Sequence, residues 1–417
     1  MFGKLRSLFA SKAPPPIDPR EAFATEVEAY LRSLPDVTEA TRAPEGYAFD
    51  VVTPAKRWRI YLDNAFAETR ELSPEARQEK IAFFFAPEAR HDPVDDEREE
   101  TWDSACETFV PVLRGATYGL EMWLQKPRAE FVRRPFLPFV DRIVAMDRLR
   151  SMVFVSRGTV ERWEVDEGQV FDAADARVPL LADPSVDIYD VTHGPLWVVT
   201  TNDTYESSRL LVPGWLASFR GKVQGRPIAI APERSTLMVG GDARPDMVER
   251  LLEKAEREFG ASNRRLSPAP YTVDDEDRVV PYVRPEADAL GIKVKLAHER
   301  LAAYEYGHQK EALEGAYAKA GPDVFVASYR VYGAEGAMPR SLCVWTQGIR
   351  SYLPRTDRVA MVVPGDREGE PAKVTVEVAF EAVVDRLTAV PGLHPPRYET
   401  GSFPGQSELT ALTIPRT

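Results

Sequence analysis

The polar stretch Thr200–Arg209 holds the first residues whose types and spacing could do chemistry. A strand is predicted to end at Thr200, and the side chains that follow can cap a helix, because short polar groups accept hydrogen bonds from its free amides. The same groups, with exposed backbone N–H donors, could hold an anion or a small polar ligand. Both interpretations stay open, and the candidate ligand-binding residues here are Asn202, Asp203, Tyr205 and Arg209.

A second polar and aromatic stretch covers Ser341–Asp357. Strand alternation places Trp345 and Gln347 on one face, with Arg350 close behind them. These three residues could line a binding groove and form the second candidate set. The alternative is a strand buried on both sides, since aromatic strand residues usually serve packing.

Known catalytic signatures are missing from the sequence. It contains no phosphate-cradling loop, no dinucleotide-binding glycine pattern, no nucleophile elbow and no zinc-protease helix, so no catalytic residue is assigned. His298 and His308 would lie about 15 Å apart along a helix, too far for one metal ion. Cys106 and Cys343 exclude a disulfide framework and a thiolate cluster. We expect no metal site and no cofactor.

Composition limits the classes of partner. The chain has 417 residues, enough for two or three domains, with 44% hydrophobic and 28% charged residues. Its formal net charge of -12 disfavours nucleic-acid binding, which needs a basic surface. A protein partner of unknown identity is the expectation that remains.

The chain begins with a basic amphipathic segment, residues 1–12. Such a segment could touch a membrane surface. Short termini are usually poorly ordered, so we interpret it as a frayed turn and expect no peripheral membrane contact. No run of eighteen apolar residues occurs and no signal peptide is recognised, so neither an integral membrane span nor secretion is predicted. The two cysteines indicate a reducing, cytoplasmic location.

The elements that must position these residues fall into three predicted domains. Residues 17–90 read as an α-β-β-α unit, with helices over 18–34 and 73–85 around strands at 47–52 and 58–62.

The second domain, 91–262, opens on an acidic stretch, 91–100, which we interpret as a helix N-terminus. The helix is predicted to carry Trp102 through Leu113. Residues 152–155 and 160–163 read as paired strands. A hairpin at 227–230 and 236–239 and a helix from Pro245 complete this domain.

Residues 260–285, rich in proline and acid, are the predicted linker to a third domain, 263–417. There a helix at 296–320 precedes strands at 324–331, 342–352 and 359–363, which can pair as an antiparallel meander before a helix at 376–387. The predicted fold class is therefore α+β, with several helix-flanked, mainly antiparallel sheet units.

Two of these stretches together resemble one bacterial family. Residues 197–211 read Trp-Val-Val-Thr-Thr-Asn-Asp-Thr-Tyr-Glu-Ser-Ser-Arg-Leu-Leu, and 225–239 read Gly-Arg-Pro-Ile-Ala-Ile-Ala-Pro-Glu-Arg-Ser-Thr-Leu-Met-Val. This region is similar to the YtpQ-like proteins, a family of unknown function, over residues 20–262 but not beyond. The resemblance implies a related fold, and it provides no catalytic residues to carry over to this sequence. Thr204 stands where a glycine would be expected.

Two functional hypotheses follow. The first is an uncharacterised bacterial cytosolic protein that acts as a non-enzymatic binding or regulatory protein, because no convergent set of catalytic residues is visible. The alternative is a hydrolase or transferase with an unrecognised active site. The two differ in whether a concave pocket with a strongly perturbed carboxylate or histidine exists.

Overall fold

The structure is a computed structural model of the chain. It describes residues 18–44, 47–54, 57–70, 72–85, 101–148, 151–182, 186–190, 195–201, 203–285, 288–334, 336–365 and 373–412. The basic segment 1–12, the acidic stretch 91–100 and Asn202 lie outside these ranges. Two compact units are present, Met1–Glu99 with Leu149–Ser151, and Glu100–Arg148 with Met152–Thr417.

The first unit packs helices against a small antiparallel sheet of order β1-β2-β3. Asp18 caps the first helix through the Arg20 amide, and the apolar face of that helix, including Val27 and Leu31, is fully buried. The predicted helices and strands are present, together with a strand and a short helix that the sequence did not reveal. Their bounds are α1 Pro19–Ser33, β1 Glu39–Arg42, β2 Ala48–Val52, β3 Arg57–Tyr61, α2 Asp63–Thr69 and α3 Pro74–Phe85.

The second unit begins with a sheet in which β6 is central. Its elements are α4 Trp102–Cys106, β4 Phe109–Gly115, α5 Leu120–Gln125, β5 Arg133–Leu137, β6 Val140–Arg148, β7 Ser151–Phe154, α6 Arg157–Trp163 and α7 Glu167–Asp175. Strand β6 pairs with β4, β5 and β7.

Two predictions in this region are wrong. The helix expected through Leu113 ends at Cys106, because the following residues pair with β6 from Phe109 onward. The strand expected at 160–163 belongs to helix α6, whose N-terminus is capped by the Ser156 hydroxyl.

A six-stranded sheet of order β13-β12-β10-β11-β9-β8 forms the middle of the second unit. Its elements are β8 Val186–Asp190, β9 Leu196–Val199, β10 Pro227–Glu233, β11 Met238–Gly241, α8 Pro245–Ala261, β12 Arg265–Val273, β13 Val279–Pro281 and α9 Ala289–Ala320. Short 3₁₀ helices at Glu206–Leu211 and Leu216–Phe219 connect β9 to β10.

The linker expected over 260–285 is also wrong. Residues 265–273 are a buried strand of this sheet. The acidic run that suggested a linker is the turn between β12 and β13, where the Asp274 carboxylate accepts hydrogen bonds from the Glu276 and Arg278 amides. The sheet thus takes strands from both sides of the boundary expected at 262/263.

The last part of the chain forms two four-stranded sheets, β14-β17-β21-β20 and β15-β16-β18-β19. Their elements are β14 Phe325–Val326, β15 Arg330–Tyr332, β16 Arg340–Thr346, β17 Ser351–Pro354, β18 Arg358–Val363, β19 Lys373–Ala379, β20 Leu387–Ala389, β21 Arg397–Thr400 and α10 Gln406–Leu412. The expected antiparallel meander is wrong, because β16 pairs parallel to β18 while β17 leaves for the other sheet. The residues expected as a helix at 376–387 form the end of β19 and two 3₁₀ turns.

The fold class is α+β with mainly antiparallel sheets, as the sequence predicts. None of the helices in the described ranges combines the length and the hydropathy that a bilayer crossing requires.

Candidate functional site

The first predicted stretch is organised around the Asp203 carboxylate. It accepts hydrogen bonds from the Thr201 hydroxyl at 3.0 Å, the Tyr205 amide at 2.8 Å and Arg209 Nη1 at 2.8 Å, and its second oxygen pairs with Arg209 Nη2. Burial opposes its ionisation, but the Arg209 guanidinium and the Tyr205 amide together hold the pKa of Asp203 below its usual value. Asp203 thus closes the turn and neutralises Arg209, which is 3% exposed.

Tyr205 completes this junction from the inside. Its ring is buried, and burial together with the neighbouring Asp147 raises the pKa of its hydroxyl. Thr204 before it has a φ of 67°, the left-handed region where glycine is least strained. The structure therefore brings Asp203, Tyr205 and Arg209 together around a backbone turn of the kind that glycine favours.

The second predicted stretch is divided between core and surface. Trp345 is 1% exposed and packs edge-on against Phe403, with ring centroids 5.6 Å apart. Gln347 is exposed, and Arg350 forms a surface ion pair with Glu399 at 2.6 Å. These three residues do not share a groove.

Sequence reasoning missed a cleft of about 730 Å³ in the second unit. Its lining comes from the β5–β6 turn, helix α9, the β17–β18 loop, the 3₁₀ turn after β19 and the segment before β21. The half-buried Phe139 ring packs edge-on against Tyr306, and Tyr306 stacks on Tyr329 at 5.1 Å. The lining also includes Phe136, Pro138, Phe380 and Pro396. These side chains form an aromatic and proline-rich wall.

Phe139 occupies a strained position in this wall. Its φ of 64° is in the left-handed region, which is rarely occupied by bulky residues. Such strain persists only where surrounding contacts impose it, and it is enriched at functional sites. The contact with Tyr306 holds the ring in the lining of the cleft.

A polar network also lines the cleft. Glu299 is 4% exposed and accepts hydrogen bonds from Lys295 at 2.5 Å and from the Tyr329 hydroxyl. Asp357 accepts a hydrogen bond from the Ser341 amide at 2.9 Å and lies 3.8 Å from Lys295. This network fixes carboxylates of α9 and of the β17–β18 loop at the same surface.

Asp141 is a second buried carboxyl of the cleft. Burial raises its pKa, against the opposing charges of Arg133, 3.4 Å away, and His394. Deeper still, burial raises the pKa of Glu305 to about 7 in spite of two hydrogen bonds from Thr117. The cleft therefore has a perturbed carboxyl beside a histidine, an arrangement that can bind a cation or move a proton.

The cleft could not be found from local motifs, because its lining comes from segments scattered between residues 116 and 396. The one signal was the dense run of proline and aromatic residues at 135–139. In the part of the chain that the structure describes, no group of three histidine, cysteine or acidic side chains has metal-ligand geometry.

Comparison with known proteins gives one partial relative. A stretch of 97 residues is 30% identical to a UPF0354 protein of Listeria monocytogenes serotype 4a (strain HCC23), which covers 23% of this chain and 36% of that protein. The chain thus matches about a third of the relative's length. No family model and no solved structure matches. The similarity points to an uncharacterised family, and the YtpQ-like resemblance stays a prediction.

Proposed function

We propose that this chain is a non-enzymatic binding protein of the bacterial cytoplasm, whose cleft takes a short basic segment of a protein partner. The observation that carries the proposal is the excess of carboxyl groups within an aromatic cleft. Its lining includes the four carboxyl groups of Asp141, Glu299, Asp357 and Glu381, and the two permanent cations of Lys295 and Arg355.

Charge favours a basic occupant at short and long range. Even with Asp141 protonated, carboxylates outnumber permanent cations in the cleft, and the whole chain has a formal net charge of -12. A field of this sign accelerates the approach of a cationic partner and suppresses acidic ones.

The apolar wall supports the same class of ligand. Arginine and lysine side chains have apolar stems that lie along aromatic surfaces, while their charged ends reach carboxylates. Phe136, Phe139 and Tyr329 are half-buried and leave part of their rings free for such contact. A volume of about 730 Å³ suits a few residues of an extended peptide.

A hydrolase is the second candidate, and the presence of Asp141 and His394 in one cleft, where the charge of His394 acts on Asp141, favours it. A carboxyl and an imidazole in one cleft can exchange a proton with a bound ligand. This candidate differs from the first in a single observable, which is turnover of the bound peptide.

The test is fluorescence anisotropy with a labelled pentapeptide of alternating arginine and alanine, against a pentapeptide with glutamate in place of arginine. We expect the basic peptide to bind at least tenfold more tightly, and Glu381→Gln to weaken it about threefold. Glu408→Gln is the matched control, because Glu408 forms a similar exposed pair with Arg386 outside the cleft.

Equal binding of both peptides, or equal effects of the two glutamate variants, would refute a basic occupant. Mass spectrometry of the same mixtures tests turnover. Cleavage that disappears in His394→Gln would establish the hydrolase in place of the binding protein.

A further inference from the structure

Arg114 on strand β4 is a buried cation that lacks an acidic partner among the residues that the structure describes. Its side chain belongs to a residue that is 4% exposed. Nη1 donates to its neighbour's carbonyl, Leu113 O, at 2.7 Å, Nη2 contacts Met152 Sδ at 3.5 Å, and Nε is buried without a hydrogen-bond partner. Burial, and then the positive charge of Arg234, lowers the pKa of Arg114 to about 9.

Arg234, directly after β10, brings a second guanidinium to the same place. The Arg114 and Arg234 guanidinium carbons lie 5.5 Å and 4.8 Å from the centre of the Tyr118 ring. The Nε of Arg234 is also buried without a hydrogen-bond partner. Arg264 adds a third positive charge that acts on both. We call Arg114, Arg234, Arg264 and Tyr118 the arginine cluster.

Two neighbouring carboxylates are engaged elsewhere. Asp141 is directly opposite Arg114 in the β4–β6 register, but its carboxyl turns toward Arg133 and His394. Glu233, next to Arg234, accepts hydrogen bonds from Thr236 and Ser262. Within the described ranges, neither Arg114 nor Arg234 forms an ion pair with a carboxylate.

The predicted Thr200–Arg209 junction holds this cluster in place. The Ser207 amide donates to the Arg234 carbonyl at 3.2 Å, and the Leu113 amide donates to the Ser208 hydroxyl at 3.4 Å. The 3₁₀ helix Glu206–Leu211 is thereby fastened to the backbone beside both arginines. This gives the polar stretch a positioning role near a charged site.

Like charges buried side by side are costly unless an anion neutralises them. We propose that the arginine cluster is a binding site for the phosphate group of a small molecule. The guanidinium fork of an arginine donates two parallel hydrogen bonds to an oxyanion, and the half-buried Arg234 side chain offers such a fork beside the buried Arg114. Arg234, Arg264 and Tyr118 are half-buried, so the cluster is accessible from solvent on that side.

Phosphate fits better than a single carboxylate, because a dianion can balance both Arg114 and Arg234. The cluster shares none of its residues with the lining of the cleft. The inference is therefore independent of the proposed peptide binding.

The test is calorimetric titration of the full chain with inorganic phosphate, and thermal unfolding in phosphate against chloride at equal ionic strength. Wild type should bind phosphate and melt at a higher temperature in its presence. Arg114→Met and Arg234→Met should each weaken phosphate binding at least tenfold. Arg386→Gln, a surface arginine outside the cluster, should leave the affinity unchanged.

A structural role for Arg114 predicts a different pattern. If the arginine serves phosphate, Arg114→Met has an equal or higher melting temperature than wild type in phosphate-free buffer. If the arginine is structural, this variant has a lower melting temperature than wild type in the same buffer. Unchanged phosphate affinity in both methionine variants, or equal melting temperatures of wild type in phosphate and chloride, would overturn the site. Adenosine monophosphate and vesicles containing phosphatidic acid separate a soluble phosphate ester from a lipid headgroup as the source.

Discussion

Arg397 and Arg114 are both buried arginines, and they differ in what surrounds them. Arg397, at the start of β21, is fully buried, and each of its guanidinium nitrogens has an acceptor. Nε donates to Gln309 Oε1 at 2.6 Å, Nη1 to the Ala327 and Tyr352 carbonyls at 2.7 and 3.1 Å, and Nη2 to the Tyr306 carbonyl at 3.0 Å. These bonds tie helix α9 to the β14-β17-β21-β20 sheet.

Arg114 has one carbonyl and one thioether in place of four oxygen acceptors, and its neighbours include a second arginine. Burial lowers the pKa of Arg397 to about 10 and that of Arg114 to about 9. The comparison shows that burial alone does not define the role of an arginine. A saturated guanidinium joins elements of the fold, whereas an unsaturated one beside a like charge suits a ligand.

The largest effect should come from Arg397→Met. The substitution leaves three backbone carbonyls and one amide oxygen without their donor, and we expect the free energy of unfolding to fall by about 4 kcal/mol. Urea unfolding measured by tryptophan fluorescence checks this value. Arg114→Met in phosphate-free buffer is the matched variant. An equal loss of stability in both variants would contradict the distinction between a structural Arg397 and a ligand-binding Arg114.

Glu305 extends the comparison to a buried carboxyl with neutral donors. Because burial raises its pKa from 4.5 to about 7, the folded state binds more protons than the unfolded state between these values. Stability should therefore be greatest below pH 4.5 for this group and fall as pH rises to 7, by about 3 kcal/mol. Glu305→Gln should remove this contribution while its side-chain oxygen still accepts from Thr117.

The measurement is urea unfolding of wild type and Glu305→Gln from pH 5 to pH 8. The difference in stability between the two proteins should change with pH in favour of the glutamine variant. A difference that stays constant over this range would show that Glu305 ionises at its ordinary pKa.

The smallest effect concerns Thr204, in the turn beside the arginine cluster. Its left-handed φ of 67° strains a β-branched residue, so Thr204→Gly should raise the free energy of unfolding by up to about 1 kcal/mol. Thr204→Val keeps the branched side chain and should show no gain. A loss of stability in the glycine variant would mean that the threonine side chain stabilises the turn more than its backbone strains it.

Local patterns in the sequence correctly predicted helices and strands that are determined by interactions between residues close together in the chain. Helix α8 has its apolar face at helical spacing and a proline at its start, so its sequence pattern and its structure agree. Strand β4 was missed because Trp102, Cys106, Phe109 and Leu113 also match helical spacing, and only pairing with β6 decides between the two.

The functional regions depend on distant parts of the chain. Asp203 and Arg209 are six residues apart, and their polar stretch was visible in the sequence. Arg114 and Arg234 are separated by more than a hundred residues, and no sequence pattern around either one indicates a buried, unpaired cation. Their meeting at Tyr118 follows from the packing of two sheets, which no local pattern encodes.

Helix α9 has a consequence for synthesis of the chain. Its first turns, through Leu290, Val294 and Ala297, complete the apolar core that Ile228 and Met238 of the six-stranded sheet begin. A ribosome adding about 5–20 residues per second completes these turns about one to three seconds after the last strand of that sheet. During this interval helix α8 already packs on the same core through Val248 and Leu251, but the part of the apolar surface that α9 covers stays exposed, and a chaperone can bind it.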